Sequence, residues 1–295
     1  MQQNLIMNLA DGRQLAFAEY GDPDGFPVFF VHGFPSSRLQ AADFQIQAQA
    51  KHCRFLGVDR PGMGLSSVNQ RHSLLSWAQD IRELADHLGI QQFSLLAHSG
   101  GAPFALACAY MLPKRVLRMA LVAGIAPTTI PESKVGINPL LRVLMALARN
   151  NPPVCRMFLQ LLPHLFLKPS FFKKIIQILP AADRSICQKP EQMHRLIMTA
   201  TEAFKSGVEG AADECQLLLN TWGFDLENIH TPIKVWHGRL DSVLPISHAK
   251  IYEHLLPEVQ CKIFDNEAHL SALYHHVDEI FDFISDNQAY LKILR

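Results

Sequence analysis

The chain has no excess of charge of either sign. Its 27 lysines and arginines are matched by 27 aspartates and glutamates among 295 residues. Without surplus cations to neutralise phosphates, nucleic acid is not expected as a main partner. Charged residues are few, at 18%, while hydrophobic ones reach 48%, a composition too apolar for disorder. A chain this long can bury a large core as one domain or two. The six cysteines (Cys53, Cys108, Cys155, Cys187, Cys215 and Cys261) form no CxxC pair, and the smallest gap is 28 residues. Such dispersion is expected of small core side chains in a reducing compartment, not of a disulfide framework. No basic stretch followed by an apolar one opens the sequence, so no signal peptide is expected. No apolar run of about 18 residues occurs, so no membrane-spanning segment is expected. These absences together predict a cytoplasmic protein. There is neither an HExxH motif nor paired Cys/His spacing, and no metal or other cofactor is expected.

What is present is an alternation. Two β-like runs, Asn4 to Ala10 and Gln14 to Tyr20, flank Asp11-Gly12 and predict a hairpin. Short apolar strands are predicted at Pro27 to Val31, Phe55 to Val58, Phe93 to Ala97 and Val116 to Ala123. Helices are predicted between them, over Ser36 to Ala50, Ser76 to Leu88 and Gly101 to Met111. In the second of these, Trp77, Ile81, Leu84, Ala85 and Leu88 fall on one face. Strands alternating with helices imply an α/β fold, a mostly parallel central sheet with flanking helices. The alternation stops at residue 127. Residues 127–222 read as helices without a convincing strand, and seven of the 18 prolines lie between Pro131 and Pro180, so the helices of that segment must be short and repeatedly broken. The alternation resumes with strands at Ile233 to Trp236 and Cys261 to Phe264, and helices at Ile246 to Leu256 and Val277 to Asn287. The expected organisation is a core over residues 1–126 and 223–295 with an all-helical cap inserted at 127–222.

Ala97-His98-Ser99-Gly100-Gly101 falls between a predicted strand and a predicted helix. That is the setting of a G-x-S-x-G nucleophile elbow, whose sharp turn needs small residues two before and two after the serine. Gly101 meets the second requirement. Ala97 replaces the first glycine by one methyl group. The amide of Gly100 would then lie at a helix N-terminus, where it can stabilise an anion. The alternative is a serine that merely caps an ordinary helix.

With these residues in view, the chain resembles the α/β-hydrolase fold superfamily, in the group with a helical cap. Two further segments carry the resemblance. His32-Gly33-Phe34-Pro35 is similar to the family's oxyanion loop, and Asp59-Arg60-Pro61-Gly62-Met63-Gly64-Leu65-Ser66 matches its D-x-x-G-x-G-x-S loop. The resemblance implies a triad in the chain order serine, acid, histidine. Among 14 histidines, His269 in Asn266-Glu267-Ala268-His269-Leu270-Ser271 matches the family's base, with Ala268 where glycine is common. His275 and His276, expected in the final helix, are the rivals. The acid implied is Asp241, in Trp236-His237-Gly238-Arg239-Leu240-Asp241-Ser242-Val243-Leu244-Pro245. Some relatives place the acid after the sixth strand, but Ala123-Gly124-Ile125-Ala126 offers no carboxylate there. The oxyanion hole implied uses the amides of Phe34 and Gly100. His32 and His237, each before a glycine, are expected to bond loop backbone.

The zero net charge conceals an asymmetry. Pro131 to Pro180 holds seven basic residues and one acidic one, for a net +6, and the rest of the chain therefore carries −6. Its many leucines and phenylalanines predict amphipathic helices lining an apolar pocket, with peripheral lipid contact as a further expectation for the cap. The expected function is a serine hydrolase acting on a small-molecule carboxylic ester with a hydrophobic acyl or alcohol group. The alternatives are a proline-type aminopeptidase or other amide or thioester hydrolase on the same triad, or a non-catalytic binding protein of hydrolase fold. An aminopeptidase would need acidic cap residues to hold the substrate amine, and Glu202, Glu209, Asp213 and Glu214 are the candidates.

Overall fold

The computed structural model describes residues 2–285. Eight strands run in chain order as β1 (Gln2–Asn8), β2 (Gln14–Gly21), β3 (Phe26–Val31), β4 (Cys53–Val58), β5 (Phe93–His98), β6 (Val116–Val122), β7 (Ile233–Gly238) and β8 (Val259–Phe264). They form one sheet in the order β1-β2-β4-β3-β5-β6-β7-β8. β2 pairs antiparallel with both β1 and β4, and every other pairing is parallel. The central strands β3 and β5 are buried along their whole length, because helices cover both faces. That is why they read as continuous apolar runs rather than alternating ones.

The core helices are α1 (Gln45–Ala50), α2 (Leu74–His87) and α3 (Ala102–Met111). Six more, α4 (Pro139–Asn150), α5 (Pro152–Phe166), α6 (Pro169–Ile178), α7 (Ala181–Cys187), α8 (Pro190–Glu202) and α9 (Glu209–Leu219), lie between β6 and β7, where no strand occurs. The last are α10 (Ser247–Leu255), α11 (Ser271–Tyr274) and α12 (Val277–Ser285). The pleat sends alternate side chains to opposite faces. Phe29 packs with Trp77 and Phe104 on one face, and Phe30 packs with Phe55 and Phe281 on the other. Each such ring contributes about 1.5–3 kcal/mol by leaving water. A third apolar cluster joins the cap to the core, with Met63 among Leu144, Leu159 and Ala211.

Two expected helices differ in detail. Ser36 to Ala50 begins with extended backbone at Ser37, followed by a 3-10 helix over Arg38–Phe44, and becomes α-helical only as α1. The final helix is seen as α12, and positions 286–287 of its expected span lie outside the described residues. The cap prolines start helices more often than they break them. They occupy the first turns of α4, α5, α6 and α8, where the missing N–H would have had no partner, and only Pro163 lies inside a helix. The cap's apolar residues divide between two roles. Leu144, Leu159 and Leu162 are buried, whereas Leu140, Val143, Met157, Leu161, Leu167 and Ile178 are exposed. Among the described residues, no helix is long and apolar enough to cross a membrane.

Candidate active site

The candidate residues emerge at the C-terminal ends of the parallel strands, where an open α/β sheet presents its ligand crevice. Ser99 follows β5 directly and takes a left-handed conformation, φ +53°, before the chain enters α3. A side chain is strained there, and the turn persists because its surroundings are built for it. Gly101 is the clearest such requirement. A Cβ at that position would lie 2.3 Å from the Val31 carbonyl oxygen and 2.7 Å from that of His32. Ala97 is fully buried within β5, and a methyl group is accommodated there.

His269, in the loop after β8, places Nε2 3.0 Å from Ser99 Oγ. Its Nδ1 lies 2.8 Å from Asp241 Oδ2. The other Asp241 oxygen accepts from the amides of Val243 and Leu244, both at 2.8 Å. Burial pushes the Asp241 carboxyl up, but His269 and the other partners outweigh it and hold it below the usual range. Burial likewise pushes His269 down, and the charges of Asp241 and Asp183 with the Asp241 hydrogen bond overcome it to hold the imidazole above the ordinary histidine value. The neighbouring histidines behave in the opposite way. Burial pushes His98 down to about 3 and His248 to about 4, and lowers His237. His237 donates from Nε2 to the Leu244 carbonyl at 2.9 Å, and His32 donates from Nδ1 to the Gly33 carbonyl at 2.9 Å. His275 and His276 lie between α11 and α12, not within the last helix, and both engage Glu267 instead of Ser99. Of the 14 histidines, His269 is therefore the one within hydrogen-bond distance of Ser99 Oγ.

The loop after β3 brings Phe34 beside Gly100. A Cβ on Gly100 would lie 3.1 Å from Phe34 Cβ and 3.6 Å from Phe34 N. Among the described residues nothing accepts from the Phe34 amide. Arg60 holds this loop. It donates to the carbonyls of His32 and Gly33 and forms a bidentate pair with Glu214 of α9, at 2.7 and 2.8 Å. Both partners are fully buried. The D-x-x-G-x-G-x-S segment builds structure of the same kind. The Asp59 carboxylate receives the Arg38 amide at 2.6 Å, the Arg38 guanidinium at 2.6 Å and the Leu65 amide at 3.0 Å.

A cavity of about 300 Å³ opens beside Ser99 and His269. Phe172, Ile175, Ile176, Leu179 and Leu196 from the cap form much of its wall. Hollows of about 680 and 630 Å³ elsewhere have no serine or histidine in their walls. Asp183 of α7 is the one carboxylate on the cavity wall, and sequence reasoning missed it. In Pro180-Ala181-Ala182-Asp183 it reads as an ordinary acid in a helix's first turn. The role of Glu214 as partner of Arg60, 154 residues away, was equally hidden. Among the described residues, no group of three or more His, Cys, Asp or Glu side chains is arranged to hold a metal ion.

Comparison with known proteins agrees with this architecture. The family model described as alpha/beta hydrolase fold matches residues 27–276. A 2-hydroxymuconate semialdehyde hydrolase of Pseudomonas putida is 24% identical over 283 residues, which is 90% of this chain and 89% of that one. The dihydrolipoyllysine-residue acetyltransferase component of an acetoin cleaving system, also from Pseudomonas putida, is 29% identical over 248 residues; these are 81% of this chain but only 58% of that protein's length. An esterase from Exiguobacterium antarcticum shares the fold with a TM-score of 0.66 at 20% identity, over 98% of this chain and 99% of that one. The family match runs from β3 through β8 and includes the helical insertion and every candidate residue, and the chain belongs to the alpha/beta hydrolase fold family.

Proposed function

We propose that the protein is a serine hydrolase that cleaves carboxylic esters with a hydrophobic acyl or alcohol group through an acyl-enzyme. The observation that carries this reading is the continuous connection from Ser99 Oγ through His269 to Asp241, beside an apolar cavity. Ser99 Oγ attacks the ester carbonyl carbon while its proton passes to His269 Nε2. Asp241 orients the ring and stabilises the imidazolium that forms. The carbonyl oxygen becomes an oxyanion facing the Phe34 and Gly100 amides. Collapse of the adduct breaks the ester bond, and the leaving alkoxide takes the proton from His269. Water then repeats the sequence on the acyl-serine, giving the acid and restoring the Ser99 hydroxyl.

The disposition of the acidic cap residues favours an ester over a peptide amine. Glu214 is bound to Arg60, Glu202 to Arg38, and Glu209 to Arg156. None of them, nor Asp213, lies on the cavity wall. An amine-binding site needs a free carboxylate there, and Asp183, the one carboxylate on that wall, already accepts from the amides of His269, Leu270 and Ser271. The test is a panel of p-nitrophenyl esters of increasing acyl length against aminoacyl p-nitroanilides, with Ser99→Ala as control. Ester turnover abolished by Ser99→Ala is expected. Preferential cleavage of the anilides, or ester turnover that survives the substitution, would overturn the assignment.

A further inference from the structure

We infer that Asp183, on α7 of the cap, is a positioning residue for His269, so that the cap itself holds the general base in place. The inference rests on the serine-hydrolase assignment above. One oxygen of the Asp183 carboxylate accepts from the His269 amide at 3.1 Å. The other accepts from the amides of Leu270 and Ser271, both at 2.9 Å. The Leu270 and Ser271 N–H groups stand at the start of α11 and that of His269 just before it, so none has an intrahelical partner. Hydrogen bonds to a charged acceptor are roughly twice as strong as neutral ones. Asp183 is only 1% exposed, so water does not compete for them.

The remaining anchors of this segment come from the core side. His98 Nε2 lies 3.3 Å from the His269 carbonyl, and Ser271 Oγ accepts from the Ala268 amide at 2.7 Å. The His269 backbone is thus clamped between the sheet and the cap. On the His269 backbone the cap side of the clamp is the Asp183 side chain, reaching across 86 residues of sequence, while farther along α11 Gln192 of α8 donates to the Tyr274 hydroxyl at 3.1 Å. Asp183 also shares the cavity wall with Ile176, Leu179 and Cys187 of the adjoining cap segment. The part of the cap that meets the substrate is therefore the part that sets the base. A substrate whose fit displaces α7 moves the anchor of His269 with it.

The charge of Asp183 adds a second effect. Asp241 and Asp183 both favour the charged imidazole. The other titratable side chains around it, His98, His237 and His248, are kept neutral by burial. Removing the Asp183 charge should therefore lower the pH at which His269 titrates. A merely structural contact would leave that pH where it is.

The test uses the full chain with Asp183→Asn and Asp183→Ala, the asparagine being an isostere in case the alanine variant fails to fold. Hydrogen exchange over residues 266–274 reads the anchoring directly, and ester hydrolysis across pH reads its consequence. Faster exchange of the 269–271 amides is expected, together with a kcat loss on the order of 10- to 100-fold. KM should change little, and the acid limb of kcat should move to lower pH. Wild-type exchange of those amides overturns the inference. So does a lowered Tm with unchanged kcat per titrated active site and an unmoved acid limb. Full activity of Ser99→Ala would instead overturn the serine assignment, and the exchange data would still decide whether Asp183 holds the loop.

Discussion

Gly101→Ala adds one methyl group to the turn after Ser99. Its Cβ would lie 2.3 Å from the Val31 carbonyl oxygen. Carbon–oxygen contacts settle at about 3.3 Å, so something must move by about 1 Å. The obstructing atoms are backbone. They belong to the end of β3, which is hydrogen-bonded to β4 on one side and β5 on the other. No side chain can swing aside, and overpacking of this kind costs about 1–3 kcal/mol. The displaced segment continues through His32 and Gly33 into Phe34, whose amide is proposed to meet the oxyanion. A misplacement of about 1 Å in such a group costs about 10²-fold in rate. Urea unfolding and p-nitrophenyl ester kinetics, normalised to folded protein, measure both effects. A Gly101→Ala protein with wild-type stability and wild-type turnover would refute the argument that this close approach sets the oxyanion loop.

Three further outcomes are expected. Glu214→Ala strands the Arg60 charge in a dry site, and chemical denaturation should record a loss of about 3–5 kcal/mol, where near-zero loss would contradict the buried pair. His269 must be neutral to accept the Ser99 proton, and Asp241 and Asp183 hold it above the ordinary histidine value, so ester turnover should rise with pH through a midpoint above that of a free histidine. Asp241→Asn should lower both that midpoint and kcat; a wild-type midpoint at or below the ordinary value would refute the pairing. Leu140, Val143, Met157, Leu161 and Ile178 are exposed among basic side chains, and peripheral contact of the cap with anionic lipid is the expectation this arrangement puts to test. Sedimentation with phosphatidylserine vesicles should exceed that with phosphatidylcholine vesicles, and Lys173→Gln with Lys174→Gln should weaken it by about 1 kcal/mol per charge. Equal recovery with both vesicles would exclude this contact.

What could be read in the sequence was local. The elbow shows itself because its demands fall within five residues, Ala97 to Gly101, between an apolar run and an alanine-rich helix. The sheet shows itself because strands buried on both faces become unbroken apolar runs. Asp241 and His269 were recognised by family resemblance, since 28 residues of spacing alone fix no contact. The long-range chemistry stayed hidden. Asp183 meets His269, and Glu214 meets Arg60, only after the cap has folded back over the sheet. Each is an ordinary helix acid by local pattern, and what it neutralises or anchors depends on tertiary packing. The prolines misled for a related reason: Pro destabilises a helix interior but suits its first turn, and only the placement of each helix start decides between these.

The proposed function stands or falls with Ser99 as the nucleophile. A fluorophosphonate ester forms a stable bond to an activated serine, and peptide mass mapping locates the adduct. Incubation of the full chain with this reagent should modify one residue, Ser99, and protonation of His269 at low pH should slow the reaction. An unmodified Ser99, or an adduct on another serine that persists in Ser99→Ala, would remove Ser99 as the nucleophile.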